Sequence, residues 1–227
     1  MLNAYLYEGL RTPFGRHGGT LAKVRPDDLL ADVMKNVMAK SKFKVEQVED
    51  IVVGCGNQSG EDSRCVARHA GLAAGFPIEI PGTVLQRNCA SGLGALAHAA
   101  HSITAGEGDV FIVGGVESMS RSPIIISRAE SPFDRGIKMA DTTIGPRFSN
   151  PKLAKQFGDH QMPQTADNLA REYGITREQA DTFAAASQQK FALAKGEGFF
   201  AGEIAPVEMP ASRKGPVPAV AEDEHPR

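Results

Sequence analysis

Three cysteines in 227 residues, Cys55, Cys65 and Cys89, are too few and too irregularly spaced for a disulfide framework. With no C-x-x-C pair they also predict no zinc site. No run of 18 or more apolar residues is present, so a membrane span is not expected. Charge is equally unconcentrated: a net charge of -2 and a pI near 6.3 point away from nucleic acid as a partner. The opening MLNAYLYEGLRTPFGRHGG lacks the basic and apolar regions of a secretory signal, and a reducing, cytoplasmic compartment is expected. The stretch GCGNQSG (Gly54–Gly60) lacks the third glycine of a dinucleotide-binding turn, since Ser59 stands at that offset.

What is present is a 41% hydrophobic chain able to bury a sizeable core. Asn3 to Glu8 alternates like a strand and is closed by Gly9 and the Arg11-Thr12-Pro13 turn. Pro26, Asp27 and Asp28 supply helix-start chemistry, and Leu29, Leu30, Val33, Val37 and Met38 recur at helical spacing to about Lys40. Val45 to Asp50 reads as a helical turn, and Ile51–Val53 as a strand buried on both faces. Arg64 to Gly75 reads as a helix, and Asp109–Val113 as a second buried strand ending in Gly114-Gly115. This alternation predicts an α/β layered domain.

Between those strands lies TVLQRNCASGLGALAHAAHSITAG, Thr83 to Gly106. It predicts a strand to Gln86, a turn at Arg87 and Asn88, and a helix from Cys89 composed almost wholly of small residues. Little polar surface on any side predicts a buried, enclosed helix. Gly92 and Gly94 each cost ~1 kcal/mol against alanine in a helix interior, so close approach of neighbouring backbone is expected. The unpaired N–H groups of a helix start favour an anion, and a cysteine there is a candidate thiolate nucleophile. A free cysteine also packs commonly as a small hydrophobe, and the residues alone leave both readings open.

From Ser118 to about Gly202 the texture changes. No buried-strand signal is present. Between Arg121 and Lys155 seven basic residues face three acids, which fits either a solvated loop or the binding of a polyanionic ligand. Gln164–Tyr173 and Thr176–Lys195 are helical in pattern, the second opened by Thr176 with Glu178 and Gln179. An excursion of this length marks a subdomain or a functional insertion. Glu203–Met209 reads as a strand returning to the core, and Pro210–Arg227, rich in proline with the acidic run Glu222-Asp223-Glu224, as a linker.

Taken together, RTPFGRHGG, NCASG, GGVESMS, TADNLA and FFAGEIAPV resemble the thiolases, acyltransferases acting on coenzyme A thioesters. The resemblance covers essentially the whole chain. Within that family GEDSRCVAR (Gly60–Arg68), ADTTIGPRF (Ala140–Phe148) and the following Asn150-Pro151 look most like the 3-oxoadipyl-CoA thiolases of aromatic-compound degradation, with an acetoacetyl-CoA thiolase as the alternative. Two departures stand out. Gln86 occupies a position where the family usually carries Asn, and Pro163 replaces the glycine of the family's M-G-x-T-A-E motif, here Met162 to Asp167.

The resemblance implies the thiolase fold's N-terminal half, a layered α-β-α arrangement with a mixed sheet. Residues 1–117 would form the α/β core, 118–202 an inserted, mostly helical loop domain, and 203–227 the last core strand and a linker. It implies that Cys89 attacks a 3-oxoacyl-CoA, that acetyl-CoA leaves, and that the acyl group passes to a fresh CoA. By the same resemblance Met162 lines the acyl pocket, and His160 lies near the family's histidine, displaced from it by Gln161. Coenzyme A is implied as co-substrate, with no permanent cofactor and no metal, and a homodimer or homotetramer as the assembly. The family's G-H-P histidine, N-E-A-F asparagine and C-x-G cysteine have no match here, which predicts a dependence on a separate C-terminal half and little turnover without it. Two other readings remain: a ketosynthase-like condensing enzyme, which the Met-rich insertion and GGVESMS disfavour, and a non-catalytic scaffold.

Overall fold

The computed structural model describes residues 2–145, 147–211 and 215–227. The chain divides into two compact units, Met1–Arg121 with Ala201–His225, and Ser122–Phe200 with Pro226–Arg227.

In the first unit α1 (Pro26–Lys40) begins where proline's fixed φ and missing N–H are no handicap, with Asp27 and Asp28 against the positive end of the helix dipole. A single 3-10 turn, Val45–Gln47, leads into β1 (Asp50–Gly54). Next come α2 (Val66–Ala73), β2 (Gly82–Leu85), α3 (Ser91–Ala105) and β3 (Phe111–Gly115). The three strands form a parallel sheet in the order β2-β1-β3, with Gly54 in register with Leu85 on one side and Gly115 on the other.

Side chains alternate across a strand, and the two faces of β1 sort accordingly. Ile51, Val53 and Cys55 join a buried cluster with Leu30, Ala31 and Met34 of α1 and Val66, Ala67 and Ala70 of α2. Gly54, on the opposite face, meets the start of α3, which packs across all three strands. The result is helices, sheet, helix in three layers, with the fully buried Val52 and Val53 at its centre.

Several expectations need correction. Asn3–Glu8 forms no strand, and Tyr5 and Leu6 are exposed; its alternation meets no strand partner among the described residues. Glu203–Met209 contributes only isolated bridges, Ile204 with Arg11 and Val207 with Val220. The ending read as a linker is instead bound to the first loop. Asp223 accepts from Arg11 Nη1 and Nη2 at 2.7 and 2.9 Å, and Glu224 accepts from the Arg16 N–H at 2.9 Å. A sequence pattern that scores apolar period alone passes over such charge pairing.

The second unit holds a short antiparallel hairpin, β4 (Ile124–Ile126) with β5 (Met139–Asp141), which had no buried-strand signal because its residues are largely exposed. Three helices follow: α4 (Pro151–Phe157), α5 (Met162–Glu172) and α6 (Arg177–Gly196). The expected start of α6 is present as a capping box, Thr176 accepting from the Gln179 N–H while Gln179 accepts from the Thr176 N–H. Among the described residues no helix is long and apolar enough to cross a membrane.

Candidate functional site

Cys89 is exposed. It lies between β2 and α3, two residues ahead of the first helical residue rather than at the first position of the helix as the sequence predicts. The turn that carries it has Asn88 at φ 50°, a left-handed conformation that asparagine tolerates better than most side chains. Ser91 closes the turn. Its hydroxyl donates to the Asn88 carbonyl at 2.6 Å and accepts from the Arg87 N–H at 2.8 Å. Ser91 is buried, so these bonds form out of competition with water.

Beneath the turn, Gly54 allows α3 its seat. A β-carbon at 54 would stand 2.5 Å from the Ser91 carbonyl oxygen and nearer still to the Gly92 nitrogen. The close approach expected at Gly92 and Gly94 is therefore made mainly from the other side. At Gly94 an added β-carbon meets side chains alone, the Leu85 tip at 2.7 Å and Arg87 Cδ at 3.3 Å, and at Gly92 it meets nothing nearer than 3.8 Å.

The helix itself is not enclosed in this chain. Ser91, Ala95, Ala99 and Ser102 form its buried face, while Leu93 is 71% exposed. Its small side chains serve close packing on the sheet along one stripe and leave the other face open.

Around Cys89 the exits of β1 and β3 converge. The Cys55 N–H donates to the Leu85 carbonyl at 3.2 Å, and the Val116 N–H to the Gly54 carbonyl at 3.1 Å. The Gly56 N–H donates to Glu117 Oε2 at 2.8 Å, and Gln86 Nε2 donates to the Gly56 carbonyl at 3.1 Å. The hydrophobe-like cysteine of this chain is Cys55: burial, with the charge of Glu117 second, pushes its thiol up to about 12. The ligand atoms of Cys55, Asp62 and Glu117 lie within 4.8 Å of one another. Both carboxylates already accept backbone N–H groups, Asp62 from Gly60 and Glu117 from Gly56, so this donor set reads as loop support.

A groove of about 1730 Å³ lies elsewhere in the first unit, between the N-terminal segment, α1 and the open face of α3, and Cys89 does not line it.

Met162 and His160 belong to the second unit. Met162 opens α5 and is 76% exposed. Pro163 falls within the first two helical positions, where its missing N–H leaves no bond unmade; the glycine-to-proline departure is thus accommodated as a helix start. His160 Nδ1 lies 3.2 Å from Asn168 Nδ2.

Sequence reasoning passed over Gly54, Gly56 and Glu117. Only their place in GCG and GGVES, straight after strands, hinted at them.

The strand-turn-helix connection that carries Cys89 lies beyond the carboxyl ends of parallel strands in a three-layer α/β unit, the region where α/β folds place their ligands. Residues 5–227 match the family model for the thiolase N-terminal domain, and the chain belongs to that family. It is 49% identical over 228 residues to a beta-ketoadipyl-CoA thiolase of Acinetobacter baylyi, covering 100% of this chain and 57% of that protein. It is 48% identical to the 3-oxoadipyl-CoA/3-oxo-5,6-dehydrosuberyl-CoA thiolase of Escherichia coli, covering 99% of this chain and 56% of that one. The crystal structure of Bacillus anthracis acetyl-CoA acetyltransferase superposes with a TM-score of 0.83 at 32% identity, covering 96% of this chain and 53% of that one. The chain thus spans about half the length of the relatives it matches.

Proposed function

We propose that Cys89 is the nucleophile of a CoA-dependent thiolytic cleavage of 3-oxoacyl-CoA, or of the reverse condensation, with 3-oxoadipyl-CoA as the substrate. The observation that carries this reading is an exposed thiol on a turn fixed by the buried Ser91, beyond the carboxyl ends of β1, β2 and β3. The names of the relatives support the substrate class.

In the cleavage direction the Cys89 sulfur bonds to the 3-keto carbon. The bond between C2 and C3 then breaks, C2 takes the proton that the Cys89 thiol gave up, and acetyl-CoA departs. The succinyl group stays on Cys89 as a thioester. The sulfur of a second CoA attacks that carbonyl, the bond to Cys89 breaks, and succinyl-CoA leaves while the proton of the incoming thiol returns to Cys89. Coenzyme A is a co-substrate in this scheme.

Met162 and His160 are proposed substrate-binding residues by resemblance, in the segment that corresponds to the family's loop domain. A C-terminal half supplies the base and the oxyanion donors, contributions worth about 10² to 10⁴ and 10² to 10³ in rate. Homo-oligomeric assembly in the cytoplasm and a place in aromatic-compound degradation complete the proposal.

The test is incubation of the chain with acetyl-CoA or succinyl-CoA, followed by peptide mapping by mass spectrometry. The expected result is an acyl adduct on Cys89 that the C89S variant does not form. Acylation elsewhere at the same rate in both proteins would refute the assignment. Thiolysis of 3-oxoadipyl-CoA and acetoacetyl-CoA is measured in parallel, and ordinary thiolase turnover by the chain unaided would sink the requirement for a second half.

A further inference from the structure

Gln86 stands three residues before Cys89 and reaches in two directions. Its Nε2 donates to the Gly56 carbonyl at 3.1 Å and lies 3.3 Å from Asn88 Oδ1. Gly56 is itself held from its other side, its N–H donating to Glu117 Oε2 at 2.8 Å. The fit is close: a β-carbon at Gly56 would stand 3.1 Å from that carboxylate oxygen and 3.5 Å from the Asn88 carbonyl oxygen. One amide thus joins the exit of β1 to the left-handed residue beside Cys89, and through Gly56 to the exit of β3.

We infer that Gln86 is a positioning residue that aims the Cys89 sulfur by tying its turn to the Gly56 loop. This rests on Cys89 as the nucleophile. Ser91 fixes the turn from below, within its own chain segment; Gln86 supplies the tie to a different segment. Attack on a thioester carbonyl needs the sulfur on a defined line, and misplacement by about 1 Å can cost on the order of 10²-fold in rate. The Gln86 side chain is exposed, so replacing it leaves no buried group unpaired.

The test uses Gln86→Glu, which keeps the shape and removes the donor, and Gln86→Met, which removes all hydrogen bonding. Each protein is incubated with acetyl-CoA, and acetylation of Cys89 is timed by peptide mass. In that step the Cys89 sulfur bonds to the acetyl carbon, the acetyl–sulfur bond of acetyl-CoA breaks, and CoA leaves with the proton Cys89 gave up. Alkylation by iodoacetamide, a small electrophile that needs no fixed approach, is timed on the same cysteine, and protection of Cys55 reports the fold.

Acetylation is expected to slow about tenfold or more in both variants, with Cys89 alkylation within about twofold of the parent and Cys55 still protected. Parental acetylation rates in both variants overturn the positioning role and leave the nucleophile standing. Slowing that appears only with loss of Cys55 protection overturns it as well. Acetylation of Cys65 or Cys55 in place of Cys89 in the parent overturns both readings together.

Discussion

Gly54 lies directly beneath Ser91: a β-carbon on it would come within 2.5 Å of the Ser91 carbonyl oxygen. The first residue of α3 and the last residue of β1 therefore share one van der Waals layer, and the turn that presents Cys89 rests on that contact. The obstructing atoms are backbone, which has no rotamer to move out of the way.

Gly54→Ala is accordingly expected to destabilise the chain by about 1–3 kcal/mol or more through overpacking. It should also displace the Cys89 turn. A lowered urea midpoint together with a changed rate of Cys89 alkylation checks this; an unchanged midpoint would show that α3 is free to lift.

The three thiols are expected to alkylate in the order set by exposure. Cys89 is exposed, Cys65 is half-buried with its thiol 3.2 Å from the Gly82 carbonyl, and Cys55 is buried with its thiol pushed up to about 12. Iodoacetamide at pH 8, followed by peptide mapping, should label Cys89 first and leave Cys55 untouched until denaturant is added. Early labelling at Cys55 would contradict the packing of β1 against α1 and α2.

Asp223 has a side chain only 6% exposed and accepts from Arg11 through two guanidinium nitrogens and from the Phe14 N–H at 2.7 Å. Asp223→Ala removes the two hydrogen bonds from Arg11 and the one from the Phe14 N–H, while Arg11 keeps Glu203 and the Thr12 carbonyl as acceptors. A loss of about 2 kcal/mol in urea unfolding is expected, in the range for hydrogen bonds to charged groups. No loss would mean that the C-terminal segment is not secured by this pair in solution.

Two glutamates give the chain an acid-sensitive limb. Hydrogen bonds from Arg121 hold the Glu61 carboxyl below its usual range, and the Arg16 N–H, with Thr20 after it, does the same for Glu224. A carboxyl whose folded pKa is depressed adds stability above the ordinary value of 4.5 and loses it as the pH falls through the lower folded value. The melting temperature should therefore decline as the pH drops below about 5. Glu61→Gln should flatten part of that decline, and an identical acid limb in the variant would remove Glu61 from the account.

The order of elements in the first unit was legible because strand and helix periods differ. Continuous apolar residues at Ile51–Val53 and near Phe111, separated by helical spacing, leave few alternatives to a layered α/β unit. The Cys89 motif was legible for the same reason, since NCASG sits where a strand gives way to a small-residue helix. Boundaries were less so: α3 opens at Ser91, because the Ser91 hydroxyl ties up the Arg87 and Asn88 backbone and holds Cys89 outside the helix.

What the sequence by itself determined is the alternation of buried strands and helices and the place of Cys89 where a strand gives way to a helix, both set by local period and short motif. Only the tertiary structure decided which glycine seats α3, which cysteine is filler, and where the acidic ending goes. Those depend on Gly54 meeting Ser91, Cys55 facing α1 and α2, and Asp223 reaching Arg11 across 212 residues. Contacts between residues so far apart in the chain leave no periodic trace in it; they exist only once the backbone has brought their atoms within a few ångströms.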